Sequence, residues 1–113
     1  MNRQRKPLQI APDHPALAGH FPGFPIVPGV VLLDEMLHAI EQSQSASHEL
    51  PLWQIGTVKF HHIVRPGDTD TLALSFEWRT DRLVHFELHH HSTLIVSGSA
   101  SHSTGIRTVD GTQ

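Results

Sequence analysis

After Pro28 the apolar positions Val30, Val31, Leu32, Leu33, Met36, Leu37, Ala39 and Ile40 fall at helical spacing. They predict one helix from near Pro28 to about Gln44. Ahead of it, Leu8 to Ala11 reads as a short strand and Pro12 to Pro15 as a turn, while residues 1–6 are polar and expected to fray. From Trp53 onward the period becomes two. Ile55, Thr57, Lys59, His61 and Ile63 alternate with Gly56, Val58, Phe60, His62 and Val64. Leu72, Leu74, Phe76 and Trp78 share one side of a second strand. Val84, Phe86 and Leu88 share one side of a third, and Leu94, Val96, Gly98 and Ala100 one side of a fourth. Pro66-Gly67-Asp68, Thr80 to Arg82 and the region of Ser92 are the turns between them. The class is α+β: a short strand, one long helix and four antiparallel strands. A helix apolar on so many sides is expected to be wrapped by a curved antiparallel sheet. One domain covers 1–113, with 1–6 and about 104–113 as flexible tails. So small a sheet leaves an open edge, so a second copy is expected to pair with it.

Composition narrows the function classes. At 113 residues the chain holds one modest core. Eight basic against eleven acidic residues give a net charge of −3, which implies no nucleic-acid partner. With no cysteine there is no disulfide, thiol nucleophile or cysteine-based zinc site. The longest apolar run, Val30 to Leu33, is too short for a membrane span. No charged-then-apolar leader opens the chain, so the cytoplasm is the expected location.

The chemistry concentrates between Gly19 and Met36, GHFPGFPIVPGVVLLDEM. Pro22, Pro25 and Pro28 keep residues 20–28 out of helix and central strand. A proline opening the helix leaves the N–H of Gly29 among its unpaired donors, at the positive end of the dipole. His20 is a candidate general base near neutral pH. The Gly29 N–H is a candidate donor to an enolate oxygen. A carboxyl group on the apolar helix, if buried, would have a raised pKa and serve as an acid. Asp34 and Glu35 are adjacent candidates. Asp34 shares a side with Val30, Val31 and Leu37, which are expected to be buried, so Asp34 is the expected acid and Glu35 the alternative.

Gly19-His20-Phe21-Pro22-Gly23, Pro28-Gly29 and Leu33-Asp34-Glu35-Met36 follow one another without a gap. This stretch resembles the 3-hydroxyacyl-acyl-carrier-protein dehydratases of the hot-dog fold (FabA/FabZ-like). Val58-Lys59-Phe60 through Pro66-Gly67-Asp68 resembles the family's second signature. The resemblance implies a single hot-dog domain that converts a 3-hydroxyacyl thioester on acyl carrier protein to the trans-2-enoyl form. By it His20 abstracts the C2 proton, Gly29 holds the thioester oxygen, and Asp34 handles the departing C3 hydroxyl. Phe21, Pro28 and Val30 are implied to line the substrate site. It also implies a homodimer with His and acid meeting across the interface, no cofactor and no metal. Asp in place of Glu is similar to the branch that also isomerises the double bond. The resemblance implies a place in fatty acid synthesis or in a specialised acyl or aryl-polyene pathway, and the short N-terminal region is similar to dehydratases of the latter.

Plainer roles stand beside these. His20 can cap loop carbonyls, Asp34 can be a helix-dipole acid, and Gly29 can be needed only for close packing. The eleven histidines include His85, His89, His90 and His91. Neighbours on a strand point to opposite sides, so these do not predict a metal site. A hot-dog thioesterase and a non-catalytic acyl-binding subunit are the competing functions.

Overall fold

The computed structural model describes residues 3–10, 26–43 and 53–102. In chain order they form strand β1 (Gln4–Leu8), helix α1 (Gly29–Gln42) and strands β2 (Trp53–Phe60), β3 (Leu72–Trp78), β4 (Leu83–His90) and β5 (Thr93–His102). A 3-10 turn at Pro66–Asp68 lies between β2 and β3. The strands form one antiparallel sheet in the order β1-β3-β4-β5-β2.

The middle of the sheet follows directly from its alternation. Leu74 pairs with Leu88, Phe76 with Phe86, Leu88 with Val96 and Val84 with Ala100, and all of these are buried. Directly opposed apolar pairs of this kind stabilise a sheet and fix its register, because a slip of one residue would turn each of them to solvent. The β3–β4 turn is held by Thr80, whose hydroxyl accepts from the N–H groups of Arg82 (3.1 Å) and Leu83 (3.0 Å). The β4–β5 turn puts His91 at φ 56°, in the left-handed region where a non-glycine residue is uncommon.

Helix α1 lays one stripe on the inner side of this sheet. Val31, Leu32, Met36, Leu37 and Ile40 are buried and join the sheet's apolar residues in one core. Val30 is 71% exposed, and Asp34 and His38, at i+4 and i+8 from it, are exposed as well. The expected architecture, an antiparallel sheet about one central helix, holds, and in the chain by itself part of the helix stays open. One helix side remains outward, because a single sheet layer covers only the side it touches.

The edges differ from the expected boundaries. The first strand is Gln4–Leu8 rather than Leu8 to Ala11, and Gln4, Arg5 and Lys6 pair with Phe76, Ser75 and Leu74 instead of fraying. Backbone pairing at an edge does not require apolar side chains. Lys6 is tied down further, its Nζ donating to the Ala39 carbonyl on α1 (3.5 Å). Helix α1 ends at Gln42, with the Ser43 hydroxyl donating to the Ile40 carbonyl (2.6 Å). At the other edge β2 ends at Phe60, short of the alternation that continues to Val64, and its register shifts between Ile55 and Val58. Gly56 lies in that irregular stretch. A Cβ there would sit 2.6 Å from Ser99 Oγ, so no larger residue fits without displacement. The turn at Pro12 to Pro15 and the tail from 103 fall outside the described residues.

Candidate functional site

The site is organised by the start of α1. Pro28 is the N-cap (φ −58°, ψ 142°), and its carbonyl accepts from the N–H groups of Val31 (3.0 Å) and Leu32 (3.2 Å). The N–H groups of Gly29 and Val30 precede these donors and have no acceptor within the helix. The approach to the helix is pinned by the Val27 N–H, which donates to the Val64 carbonyl at 2.7 Å. Gly29 is half-buried against Phe60: a Cβ added at Gly29 would lie 2.9 Å from Cε1 of that ring. Phe60 itself is 50% exposed, so its ring roofs the helix start from the end of β2. The steric role weighed for Gly29 is thus real. It does not compete with the donor role, since the missing Cβ and the N–H are different groups on the same residue.

The two candidate acids point differently from the expectation. Asp34 is exposed and Glu35 is half-buried. The expected burial of Asp34 rested on Val30, Val31 and Leu37; Val31 and Leu37 are buried, but Val30, one turn before Asp34, faces outward. In the chain alone Asp34 is therefore not desolvated, and burial becomes possible only if something covers the Val30–Asp34–His38 stripe. A helix-dipole role explains Asp34 poorly, because the first turn of α1 contains no acidic residue and the dipole's influence fades beyond it. His20 and Phe21 lie outside the described residues.

Asp34 opens a groove of about 290 Å³, lined also by Glu35, Leu37, His38, Glu41 and Trp53. Asp34, His38 and Glu41 belong to one outward stripe of α1. Trp53, at the start of β2, closes the other side, its indole N–H donating to a carboxylate oxygen of Glu41. Behind it Trp53 stacks near Trp78 (ring centroids 6.3 Å apart, 24° between planes) and meets His102 edge-on at 4.7 Å. His102 has its pKa lowered from 6.5, first by desolvation, with the Glu41 charge acting in the opposite direction. Sequence reading did not single out Glu41 or Trp53, and it quoted Phe60 only within Val58-Lys59-Phe60, with no role at the helix start. Their signal was present only as an acid seven residues after Asp34 and aromatic residues at the two ends of β2. Among the described residues no three His, Asp or Glu side chains converge as metal ligands.

Over residues 2–99 the sequence matches the ApeI-like family, described as ApeI dehydratase. A 3-hydroxyacyl-acyl-carrier-protein dehydratase FabZ of Ehrlichia chaffeensis is 34% identical over 82 residues, covering 70% of this chain and 57% of that protein. The FabZ of Aliarcobacter butzleri is 38% identical over 69 residues, covering 52% of this chain and 47% of that protein. The chain spans about half the length of the curated relatives it matches. The solved dehydratase heterocomplex ApeI:P from Xenorhabdus doucetiae aligns over 90% of this chain and 94% of that one, with TM-score 0.66 and 23% identity. A mutant of the fluoroacetyl-CoA-specific thioesterase FlK covers 90% of this chain and 86% of its own, with TM-score 0.59 and 17% identity. These likenesses establish the hot-dog fold, which a dehydratase and a thioesterase share, so the fold does not choose between the two activities.

The contact of Gly29 with Phe60 is measurable. Gly29→Ala is expected to cost stability in the wild-type background but not beside Phe60→Ala, with a coupling of about 1 kcal/mol or more in urea unfolding. Additive effects would show that the ring does not occupy the space a Cβ needs.

The His102 shift predicts a pH dependence. Above 6.5 the ring is neutral in both folded and unfolded chains, and its contribution is fully present. As pH falls through 6.5 the unfolded chain takes up the proton first, so stability is lost until the folded ring also titrates. His102→Phe is expected to lose less stability than wild type on acidification below 6.5; identical profiles would contradict the assignment.

Proposed function

We propose, from the premise that the chain belongs to the ApeI-like dehydratase family, that it removes water from a 3-hydroxyacyl thioester carried on an acyl carrier protein. His20 takes the C2 proton, and the C2–H electrons form the C2–C3 double bond as the C3–O bond breaks. The Gly29 N–H donates to the thioester carbonyl oxygen while enolate charge develops there. Asp34 protonates the departing hydroxyl, directly or through water, so that water and the trans-2-enoyl thioester are the products. Phe21, Pro28 and Val30 line the reacting end of the acyl group. Each step uses only these residues, and no cofactor enters. The proposed carrier-bound substrate also gives the cytoplasm as the place of action.

The observation that carries this reading is the pairing, on one helix, of an unpaired N–H at its first residue with an outward carboxylate at Asp34, in a chain whose Gly19-His20-Phe21-Pro22-Gly23 precedes them. The likeness to FlK, at 17% identity, is one of fold alone and does not carry thioester hydrolysis to this chain. Asp34 remains the proposed acid although it is exposed in the chain alone. A second copy would cover it. Strand β2 is a sheet edge with β5 as its neighbour, and the exposed apolar residues Ile55, Phe60, Ile63 and Val30 lie on or near that edge and the start of α1. Joining β2 to the same strand of a second copy would bury such residues and remove the open edge. ApeI:P is a heterocomplex, so a different chain is the alternative occupant.

Activity is tested by following enoyl absorbance on 3-hydroxyacyl carrier protein while free thiol is measured in parallel. Absorbance without thiol release is expected. His20→Ala and Asp34→Asn should each lower turnover by about 10² to 10⁴. Glu35→Gln should retain most activity. An inactive Glu35→Gln beside an active Asp34→Asn would transfer the acid role to Glu35.

The dimer is tested by sedimentation of the purified chain at micromolar concentration. A single species of twice the chain mass is expected. A monomer that shifts only on adding a related chain would replace the homodimer with a heterocomplex.

A further inference from the structure

The side of the sheet turned away from α1 carries a second groove, of about 320 Å³, with a different lining. Along each inner strand the residues between the buried ones face this way. The register lines them up. Arg5 lies opposite Ser75, Ser75 opposite Glu87, Glu87 opposite Ser97 and Ser97 opposite Lys59, one row across every strand. In the next row Glu77 lies opposite His85 and His85 opposite Ser99. There the irregularity in β2 sets both Gly56 and Thr57 against Ser99, because Ile55 pairs with Ala100 and Val58 with Gly98. A side chain at Gly56 would run into Ser99 Oγ, so the glycine keeps that hydroxyl uncovered from the β2 side.

The charge of this groove is opposite to that of the chain. Its lining holds three cations, Arg3, Lys59 and Arg79, against the single carboxylate of Glu87, while the whole chain has a net charge of −3. Adding the neighbours Arg5 and Glu77 leaves the positive excess unchanged. The ion pairs do not tie these cations up. Arg3 meets Glu87 at 3.6 Å and Arg79 meets Glu77 at 3.9 Å, and both arginines are about half exposed. Pairs of that kind contribute little and exchange for a better partner. Lys59 forms no ion pair among the described residues, and the hydroxyls of Thr57 and Ser99 have no hydrogen-bond partner among them. A carboxylate offers two oxygens in one plane and is satisfied by one guanidinium fork. Cations reaching in from the ends of β1 and β3 and from β2, with hydroxyls between them, surround their ligand instead. That suits the tetrahedral, multiply charged phosphate group. The volume is in the range of small-molecule sites, larger than a bare phosphate fills.

We propose that this groove is a second binding site, separate from the helix start, that takes the phosphate group of a small organic phosphate. Arg3, Lys59 and Arg79 supply the charge, and Thr57 and Ser99 supply neutral donors. Calorimetric titration of the purified chain tests it with two probes, ADP and phosphopantetheine, each beside its phosphate-free counterpart, adenosine or pantetheine. One or both phosphates are expected to bind about tenfold or more tightly than the counterpart, and the tighter of the two names the source. Lys59→Gln and Arg79→Gln should each weaken binding by about tenfold, the loss of one charge-assisted contact, and Lys59→Arg should retain it. Arg65→Gln, which removes a cation outside the groove, should change it by less than about twofold. No binding of either phosphate, a counterpart that binds as tightly, or equal weakening by Arg65→Gln would each overturn the site. A second measurement fixes the place. The amide NMR signals of Ser97, Gly98 and Ser99 should shift on saturation. Shifts confined to Gly29 and Val30 would put the ligand at the helix start and overturn the proposal. Neither measurement depends on whether the chain dehydrates an acyl thioester.

Discussion

The rotation of α1 about its axis is the constraint on which the rest depends. It is set by the packing of Val31, Leu32, Met36, Leu37 and Ile40 against the inner residues of β3, β4 and β5. Burial of each such side chain is worth about 1.5–3 kcal/mol, so turning the helix to expose them would cost far more than any polar contact on its other side returns. Once that stripe is down, the opposite stripe of Val30, Asp34 and His38 has to face out, and Glu35 has to sit at the boundary. The chemistry proposed for Asp34 is thus a consequence of where the core residues stand. The start of the same helix is located by Pro28, by the Val27–Val64 hydrogen bond and by the close fit of Gly29 beneath Phe60.

The inner strands were legible in the sequence because both requirements on them agree. Leu72, Leu74 and Phe76, and Val84, Phe86 and Leu88, alternate with small or polar neighbours and are buried by pairing as well as by the helix. Edge strands are under weaker constraint. Gln4, Arg5 and Lys6 look like a frayed terminus, yet the open backbone of β3 is a partner that asks nothing of their side chains. In β2 the bulge around Gly56 breaks the period of two, and most residues stay exposed, so the pattern alone overran the strand to Val64.

For the site, candidate residues could be named from the sequence and their local environment could not. Proline and glycine positions located the helix start to within a residue. The orientation of Asp34 depended on whether Val30 belongs to the core, and hydrophobicity alone cannot decide between a core valine and one left for a partner. Trp53 and Glu41 lie twelve residues apart, in different elements, and meet only because β2 returns along the helix. No spacing rule anticipates that contact, which makes the groove a property of the fold rather than of a motif.

The central claim is that this surface carries proton transfer at C2 of an acyl thioester. Running the reaction in reverse tests it most directly. A trans-2-enoyl carrier protein is incubated with the chain in D₂O, returned to H₂O to exchange the hydroxyl, and weighed by mass spectrometry. The account predicts a 3-hydroxyacyl product with deuterium at C2, formed without release of free thiol. Free thiol and no deuterium at C2 would contradict it.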